Sequence, residues 1–204
     1  GSEMCIRDRS GTIKKNTAIA APDENGNIRG GLGGAISAKY SAVTIKGNAE
    51  ICNNSAGYRG GAIYTEGTTN DSSLLNIEGG TISGNHVNGS GAGIFAICSR
   101  GNKHNMDVNI SGGTITNNYI GTGENVEENA IVLMGWDPNL TKNTGFADLY
   151  LSDSPVITGS VTLADDYCAT DRKNYSPLIY VGNSFNVNKP ILVSPIHGLS
   201  LIHI

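Results

Sequence analysis

The chain has 204 residues, 28 of them Gly and 23 Asn against three Phe and one Trp, and carries a formal net charge of −4. A quarter of the sequence is therefore Gly or Asn, both poor in helix interiors, which argues against a helical protein. Hydrophobic residues at 38% and charged residues at 16% argue against disorder, the lack of a basic run argues against nucleic acid or an anionic membrane as partner, and no apolar stretch nears the roughly 20 residues of a membrane-crossing helix.

The two ends stand apart. Gly1 and Ser2 read as a cloning scar, residues 4–9 are Met-Cys-Ile-Arg-Asp-Arg, and residues 199–204 are Leu-Ser-Leu-Ile-His-Ile. These hexapeptides resemble translations of the two complementary strands of a transposase sequencing adaptor. Residues 1–9 and 199–204 are accordingly expected to be adaptor-derived tails around a metagenomic fragment. One domain would span 10–198, and Cys5 and His203 would carry no functional weight.

A repeat begins at Gly11-Thr-Ile-Lys-Lys-Asn16. It returns as Ala49-Glu-Ile-Cys-Asn-Asn54, Gly80-Thr-Ile-Ser-Gly-Asn85 and Gly113-Thr-Ile-Thr-Asn-Asn118. In each copy an Ile stands three residues before an Asn, and the steps from Ile to Ile are 38, 31 and 33 residues. A small or apolar residue follows two positions later, at Ala18, Ala56, Val87 and Ile120. Glycine-rich openings lead into another strand at Gly33-Gly-Ala-Ile36, Gly60-Gly-Ala-Ile63 and Gly91-Ala-Gly-Ile94. A further alternating strand precedes each later copy: Val43-Thr-Ile-Lys-Gly47, Leu75-Asn-Ile-Glu-Gly79 and Val108-Asn-Ile-Ser-Gly112.

Three short strands per thirty-odd residues cannot bury their own apolar face, so the repeats must stack on one another. Stacking at about 4.8 Å would pile Ile and Val into inward columns and leave Thr81, Ser83, Thr114 and Thr116 outside. Asn16, Asn54, Asn85 and Asn118 would form a ladder of side-chain amides at one corner, with Gly wherever positive φ or close backbone approach is required. The expected fold is all-β, a right-handed parallel β-helix (β-solenoid) of about five coils with three short strands each; a β-sandwich is the alternative.

The Gly-Gly-Ala-Ile strand opening paired with an apolar-x-x-Asn corner resembles the repeats of polymorphic membrane proteins, bacterial autotransporter adhesins whose motifs are GGAI and FxxN. The opening is intact at 33–36 and 60–63, while Ile stands for Phe in every corner copy. The Gly-Gly-Thr-Ile-x-x-Asn wording is closer to β-helical surface proteins of Gram-positive gut bacteria. The resemblance covers residues 10–123 and implies a cell-surface or secreted β-helix without naming an activity.

From residue 124 to 198 the coils degenerate. Glu128-Asn-Ala-Ile131 is a distorted opening, and Met134-Gly-Trp-Asp-Pro-Asn139 reads as an inserted aromatic loop. Leu149-Tyr-Leu151 and Val156-Ile157 resume the pair after a step of 42 residues, with Ser160 in place of the corner Asn. Leu178-Ile-Tyr-Val181 and Phe185-Asn-Val187 suggest one more coil.

Chemistry has few footholds. Parallel β-helices include pectin-cleaving enzymes, and the paired carboxylates Asp165 and Asp166 could do acid–base work on a glycosidic bond. The Asn-Thr-Asp, Gly-His-Gly and Arg-Ile-Lys motifs of polygalacturonase-like enzymes do not occur, and Asp107, Asp137, Asp148 and Asp153 read as scattered. Asp23-Glu-Asn-Gly-Asn27 lacks the spacing of a calcium loop and reads as an Asx-rich turn. His86, His104, Cys52, Cys98 and Cys168 have no zinc spacing, and the cysteines read as thiols. Gly30-Gly-Leu-Gly-Gly34 lacks the Lys-Ser/Thr pair of a phosphate loop. No cofactor and no metal is expected. Tyr64 and Phe95, each just after a repeat Ile, together with Trp136 form a candidate exposed strip for a sugar ring or a protein partner, against the plainer reading of a shielding ladder.

The expected function is non-enzymatic: an extracellular or cell-surface adhesin-like stalk or binding surface for a glycan or surface protein, with end-to-end self-association open to its edges. The alternatives are a pectin-degrading lyase or hydrolase using Asp165 and Asp166, and a spacer that binds nothing itself.

Overall fold

The computed structural model describes residues 11–67, 73–99, 106–136, 146–166, 177–195 and 202–203. They are all-β, with no helix among the described residues and therefore no helix long and apolar enough to cross a membrane. Most strand pairs are parallel, and each joins a strand to its counterpart one repeat later.

Three walls result. The first stacks β1 (Thr12–Lys14), β7 (Glu50–Cys52), β11 (Thr81–Ser83), β15 (Thr114–Thr116) and β19 (Val156–Ile157). Its register aligns Ile13, Ile51, Ile82, Ile115 and Ile157 in one column. The second stacks β6 (Ala42–Ile45), β10 (Leu74–Ile77), β14 (Met106–Ile110), β18 (Ala147–Leu151) and β21 (Ile179–Val181), with Val43, Leu75, Val108, Leu149 and Ile179 in register. The third stacks β5 (Ile36–Lys39), β9 (Ile63–Gly67), β13 (Ile94–Ser99), β17 (Asn125–Trp136), β20 (Ser160–Asp166) and β22 (Leu192–Pro195). The inward residues of all three walls meet in one core, in which Ile51, Leu75, Ile82, Ile94, Ile110, Ile115 and Ile131 are at most 1% exposed. Each such side chain contributes about 1.5–3 kcal/mol of burial, and repetition multiplies it.

Short strands β2 (Thr17–Ala18), β8 (Ser55–Ala56), β12 (His86–Val87) and β16 (Tyr119–Thr122) form a parallel row between the first and third walls. The hairpin β3 (Ala20–Pro22) and β4 (Ile28–Gly30) branches off after β2. β23 (Ile202–His203), within the segment read as adaptor-derived, pairs antiparallel with β22.

The glycine-rich openings have two jobs. Gly33, Gly60 and Gly91 hold φ of 66°, 69° and 72°, a region that costs other L-residues energy. The next glycine answers to the neighbouring repeat: a Cβ on Gly34 or Gly61 would lie 2.2 or 2.4 Å from the carbonyl oxygen of Gly61 or Ala92. In the shuffled copy the close approach moves one place, to Gly93 under the Ala130 carbonyl at 2.4 Å, and Ala92 is tolerated.

The second half departs from expectation in three places. The step from corner Asn to third-wall residue is 9 residues for Asn54/Ile63 and Asn85/Ile94, but 13 for Asn118/Ile131 and one for Ser160/Val161. The surplus in one repeat fills the deficit in the next. β17 begins by folding back antiparallel on β16, pairing Tyr119 with Glu128 and Thr122 with Asn125, where the following repeat has no strand of its own. Met134-Gly-Trp136 belongs to β17, so the expected loop starts no earlier than Asp137, and 137–139 lie outside the described residues. Phe185-Asn-Val187 is not a strand; Phe185 instead packs, partly buried, against the core.

Candidate functional site

The corner between the first wall and the short-strand row is built from amides. Asn16 donates to Asn54 Oδ1 from its backbone N and from Nδ2, at 3.0 and 2.9 Å. Asn54 donates in the same way to Asn85 Oδ1, and Asn85 to Asn118 Oδ1. Each inner Nδ2 also reaches carbonyls of its own and the preceding repeat: Asn85 those of Ser83 and Ile51, Asn118 those of Thr116 and Ile82. Asn54, Asn85 and Asn118 are at most 1% exposed, so these bonds satisfy backbone groups that water cannot reach. The residue before each amide is left-handed: Lys15, Asn53, Gly84 and Asn117, with φ between 53° and 65°. That turn swings the Asn side chain inward. Sequence reasoning did not single it out, although Asn and Gly, the residues that tolerate it best, fill three of the four positions.

Below Asn118 the ladder changes hands. Asn129, not Ser160, stands next: its backbone N donates to the Asn118 carbonyl, and its Nδ2 donates to Ser160 Oγ at 2.9 Å. Glu128 Oε1 accepts from the Asn117 N–H and the Thr158 hydroxyl, which pins the β16–β17 hairpin to this corner.

Two members of the aromatic strip expected on the third wall, Tyr64 and Phe95, are buried. Tyr64 and Phe95 do face away from the core and stack, with ring centroids 5.9 Å apart and planes within 8°, but they are 4% and 1% exposed. They pack with Ile97, Val132, Met134 and Ala164 in a second apolar cluster on that outer face, and the Arg59 guanidinium lies 4.8 Å over Phe95. Tyr64 donates to buried Glu66 Oε2 at 2.8 Å, and Lys39 pairs with the same oxygen at 3.0 Å. Burial and the Glu66 charge push the Tyr64 hydroxyl far above its ordinary range. Tyr64 and Phe95 therefore shield the wall. Trp136 ends β17, its backbone opposite Asp166; Asp165 stands opposite Gly135. Asp165 and Asp166 are the last two residues of strand β20, and the side chains of these three residues lie outside the described structure.

The outer face of the second wall carries what the sequence reading missed. Register places Thr44, Asn76, Asn109, Tyr150 and Tyr180 in one outward column. Asp107 and Asp148 stand directly opposite each other one column over, so these two are not scattered. Tyr150 and Tyr180 stack with centroids 4.6 Å apart and planes within 10°, and Tyr180 is 42% exposed. Asn109 Nδ2 donates to Asn76 Oδ1 at 3.0 Å. Asp148, 1% exposed, accepts the Leu178 N–H at 2.8 Å and so ties β21 to β18. Desolvation holds the Asp107 carboxyl above its ordinary range, and burial together with the Asp107 and Asp148 charges raises the Tyr150 hydroxyl. The signal was present: Leu149-Tyr150-Leu151 and Ile179-Tyr180-Val181 each set one Tyr between two apolar residues.

Elsewhere the polar residues serve local structure. Asp23 accepts the backbone N–H groups of Asn25 and Asn27 and pairs with Arg29 at 2.8 Å, closing the β3–β4 hairpin as an Asx turn. His86 Nε2 meets the Gly121 carbonyl. Cys52 and Cys98 are both thiols, on β7 and β13, and burial pushes Cys98 up to about 11. His104, Cys168 and Asp137 lie outside the described residues, among which no three His, Cys, Asp or Glu side chains gather as a metal site. No family model, curated protein or solved structure matches the chain.

Proposed function

We propose that this chain is a right-handed parallel β-helix of about five coils, three short strands to each, that serves a bacterial cell-surface or secreted protein as an adhesin-like stalk and binding surface without catalysing a reaction. The observation that carries the reading is the register: in all three walls a residue pairs with its counterpart one repeat later, Ile51 with Ile82 and Ile115, Leu75 with Val108, Ile63 with Ile94. A stack of this kind is quasi-one-dimensional, and it presents long, repetitive side faces. The likeness of Gly33–Ile36 and Gly60–Ile63 to adhesin repeats supports an extracellular setting and a glycan or surface protein as partner, and nothing in the charge balance favours nucleic acid. Exposed apolar residues near the two ends of the stack, Ile28 and Tyr40 at one and Val156, Leu178 and Val181 at the other, favour end-to-end contact between copies.

The test is hydrolytic and lytic assay of the purified protein on pectin, polygalacturonate and host-type glycans. No product is expected. A defined cleavage product would overturn the reading, and its loss in an Asp165→Ala/Asp166→Ala double variant would assign the activity to that pair.

A further inference from the structure

Three features stand outside the corner. The groove beside β19, lined by Pro155, Val156, Ile157 and Val187, is apolar, and nothing shows what covers it. The Tyr64–Glu66–Lys39 cluster is closed on itself. The side face carried by the short-strand row differs from both. Two hairpins leave it, its charges are divided between its two ends, and its contours match one another when the face is reversed.

We propose that this face docks a second copy of the chain, side by side and antiparallel, about a two-fold axis that lies in the face along the short strands. Register defines the face. Ala18, Ala56, Val87 and Ile120 pack inward, so Thr17, Ser55, His86 and Tyr119 form one outward column. Ile19, Gly57, Asn88 and Gly121, two residues further on, form the next. Both hairpins are departures from the repeat at this place. The corner Asn and the glycine opening are 6 residues apart in Asn54/Gly60 and Asn85/Gly91, but 17 apart in Asn16/Gly33, where β3–β4 is spliced in. The β16–β17 hairpin turns back at Thr122–Asn125 in the fourth repeat. The first and fourth repeats are about 14 Å apart at about 4.8 Å per strand. The outward columns point sideways, so a further repeat stacked at either end would flank the face without covering it.

Charge is split along the face. In the first repeat Lys14 and Lys15 stand exposed at the corner. In the fourth, Glu124 is exposed at the hairpin turn, and Glu128 reaches the N–H of Asn117, the residue that aligns with Lys15. Among the described residues no ion pair engages either lysine or either glutamate. An axis passing between the second and third repeats lays the first repeat of one copy on the fourth of the other. Lys14 and Lys15 then meet Glu124 and Glu128 of the other copy, twice in each dimer. A parallel pairing would set lysine on lysine and glutamate on glutamate, which selects against it.

The same operation sets small on large. Thr17 falls on Tyr119, Ser55 on His86 and Gly57 on Asn88. Ile19, at 78% the most exposed large apolar residue among the described residues, falls on Gly121. Val126 is the antiparallel partner of Gly121, shares its side of the sheet and is 51% exposed, so it offers Ile19 an apolar neighbour. The contact is isologous and closes at two copies, whereas end-to-end contact stays open to growth. It goes beyond the stalk reading and does not depend on it.

Sedimentation velocity of the full chain over a range of concentrations, together with cross-linking, tests this. A monomer–dimer equilibrium is expected. It should weaken severalfold as ionic strength rises from about 0.1 to about 1 M, where the screening length falls from about 10 to about 3 Å. Ile19→Asp and Lys14→Glu/Lys15→Glu should each weaken association at least about tenfold. All three positions are exposed, and circular dichroism confirms that the variants fold. In an equimolar mixture of Ile19→Cys and Val126→Cys chains, a short thiol cross-linker followed by peptide mapping should join position 19 of one chain to position 126 of the other. A monomer at every concentration, an association that neither charge nor Ile19 substitution weakens, or growth past two copies would overturn the proposal. Cross-links from 19 to 19 or from 126 to 126 in place of 19 to 126 would overturn the antiparallel arrangement. Cleavage assays decide the non-enzymatic reading separately.

Discussion

Residues 11–118 and residues 119–195 are built on the same three walls but solve the corner differently. In the first stretch each repeat brings its own Asn, its own left-handed residue before it and its own short strand, so one geometry is copied four times. In the second a fold-back hairpin supplies the missing strand, Asn129 replaces the corner Asn, and Ser160 receives its amide. The outer faces diverge as well. The aromatic pair spanning the second and third repeats is buried under its own cluster, whereas Tyr150 and Tyr180, on the last two strands of the second wall, meet solvent. Repetition fixes the interior, and the departures from it decide which side chains remain accessible.

Substitutions can break this contrast. Asn85→Ala should have the largest effect, about 3–5 kcal/mol in chemical denaturation. It strands the buried Asn54 N–H and removes at once the amide's bonds to the Ile51 and Ser83 carbonyls and to Asn118 Oδ1. Asn129→Ala removes fewer bonds and should cost about 2 kcal/mol; equal costs would erase the distinction between the two corners. Ile82→Ala, with strands on both sides, should cost about 4 kcal/mol, and Ile157→Ala, on the edge strand of the same column, about 2 kcal/mol. Thr65→Val sharpens the picture from the other direction. The column it shares with Ala38, Ala96 and Leu133 is otherwise apolar, and removing the unpartnered hydroxyl should stabilise by about 1 kcal/mol.

The smallest effect is one of pH. The Arg29 guanidinium and the Asn27 N–H draw the Asp23 carboxyl down from its ordinary 3.8 to about 2. A depressed carboxylate contributes above its unfolded value and loses that contribution as pH falls through the folded one. The β3–β4 hairpin should therefore hold at pH 5 and loosen between pH 4 and about 2, seen as shifts of the Asn25 and Asn27 amide resonances while the Ile82 and Ile115 amides stay fixed.

Much of the interior was legible because it repeats. Ile13, Ile51, Ile82 and Ile115, each three residues before an Asn, announce both the column and the corner, and the glycine openings announce the third wall. Repeat spacing finds inward positions well because the core tolerates little else. It cannot say what lies over an outward position, and so Tyr64 and Phe95 were legible as a stack but not as a buried one. Nor does it foresee that a four-residue surplus after Asn118 would pair with a deficit after Ile157, since that compensation joins two separate repeats. Asp107 and Asp148 lie 41 residues apart in sequence, and only the in-register pairing of β14 with β18 makes them neighbours.

All of this depends on in-register stacking, and a disulfide tests it most directly. Cys52 and Ser83 are register partners on parallel strands, about 4.8 Å apart and within reach of a bond, whereas Thr81 pairs with Glu50. Mild oxidation of a Ser83→Cys variant, followed by peptide mapping, should show the position-83 thiol bonded to Cys52, and a Thr81→Cys variant should show no such bond. A bond from position 81 and none from position 83 would contradict the register, and with it the stacked-repeat account.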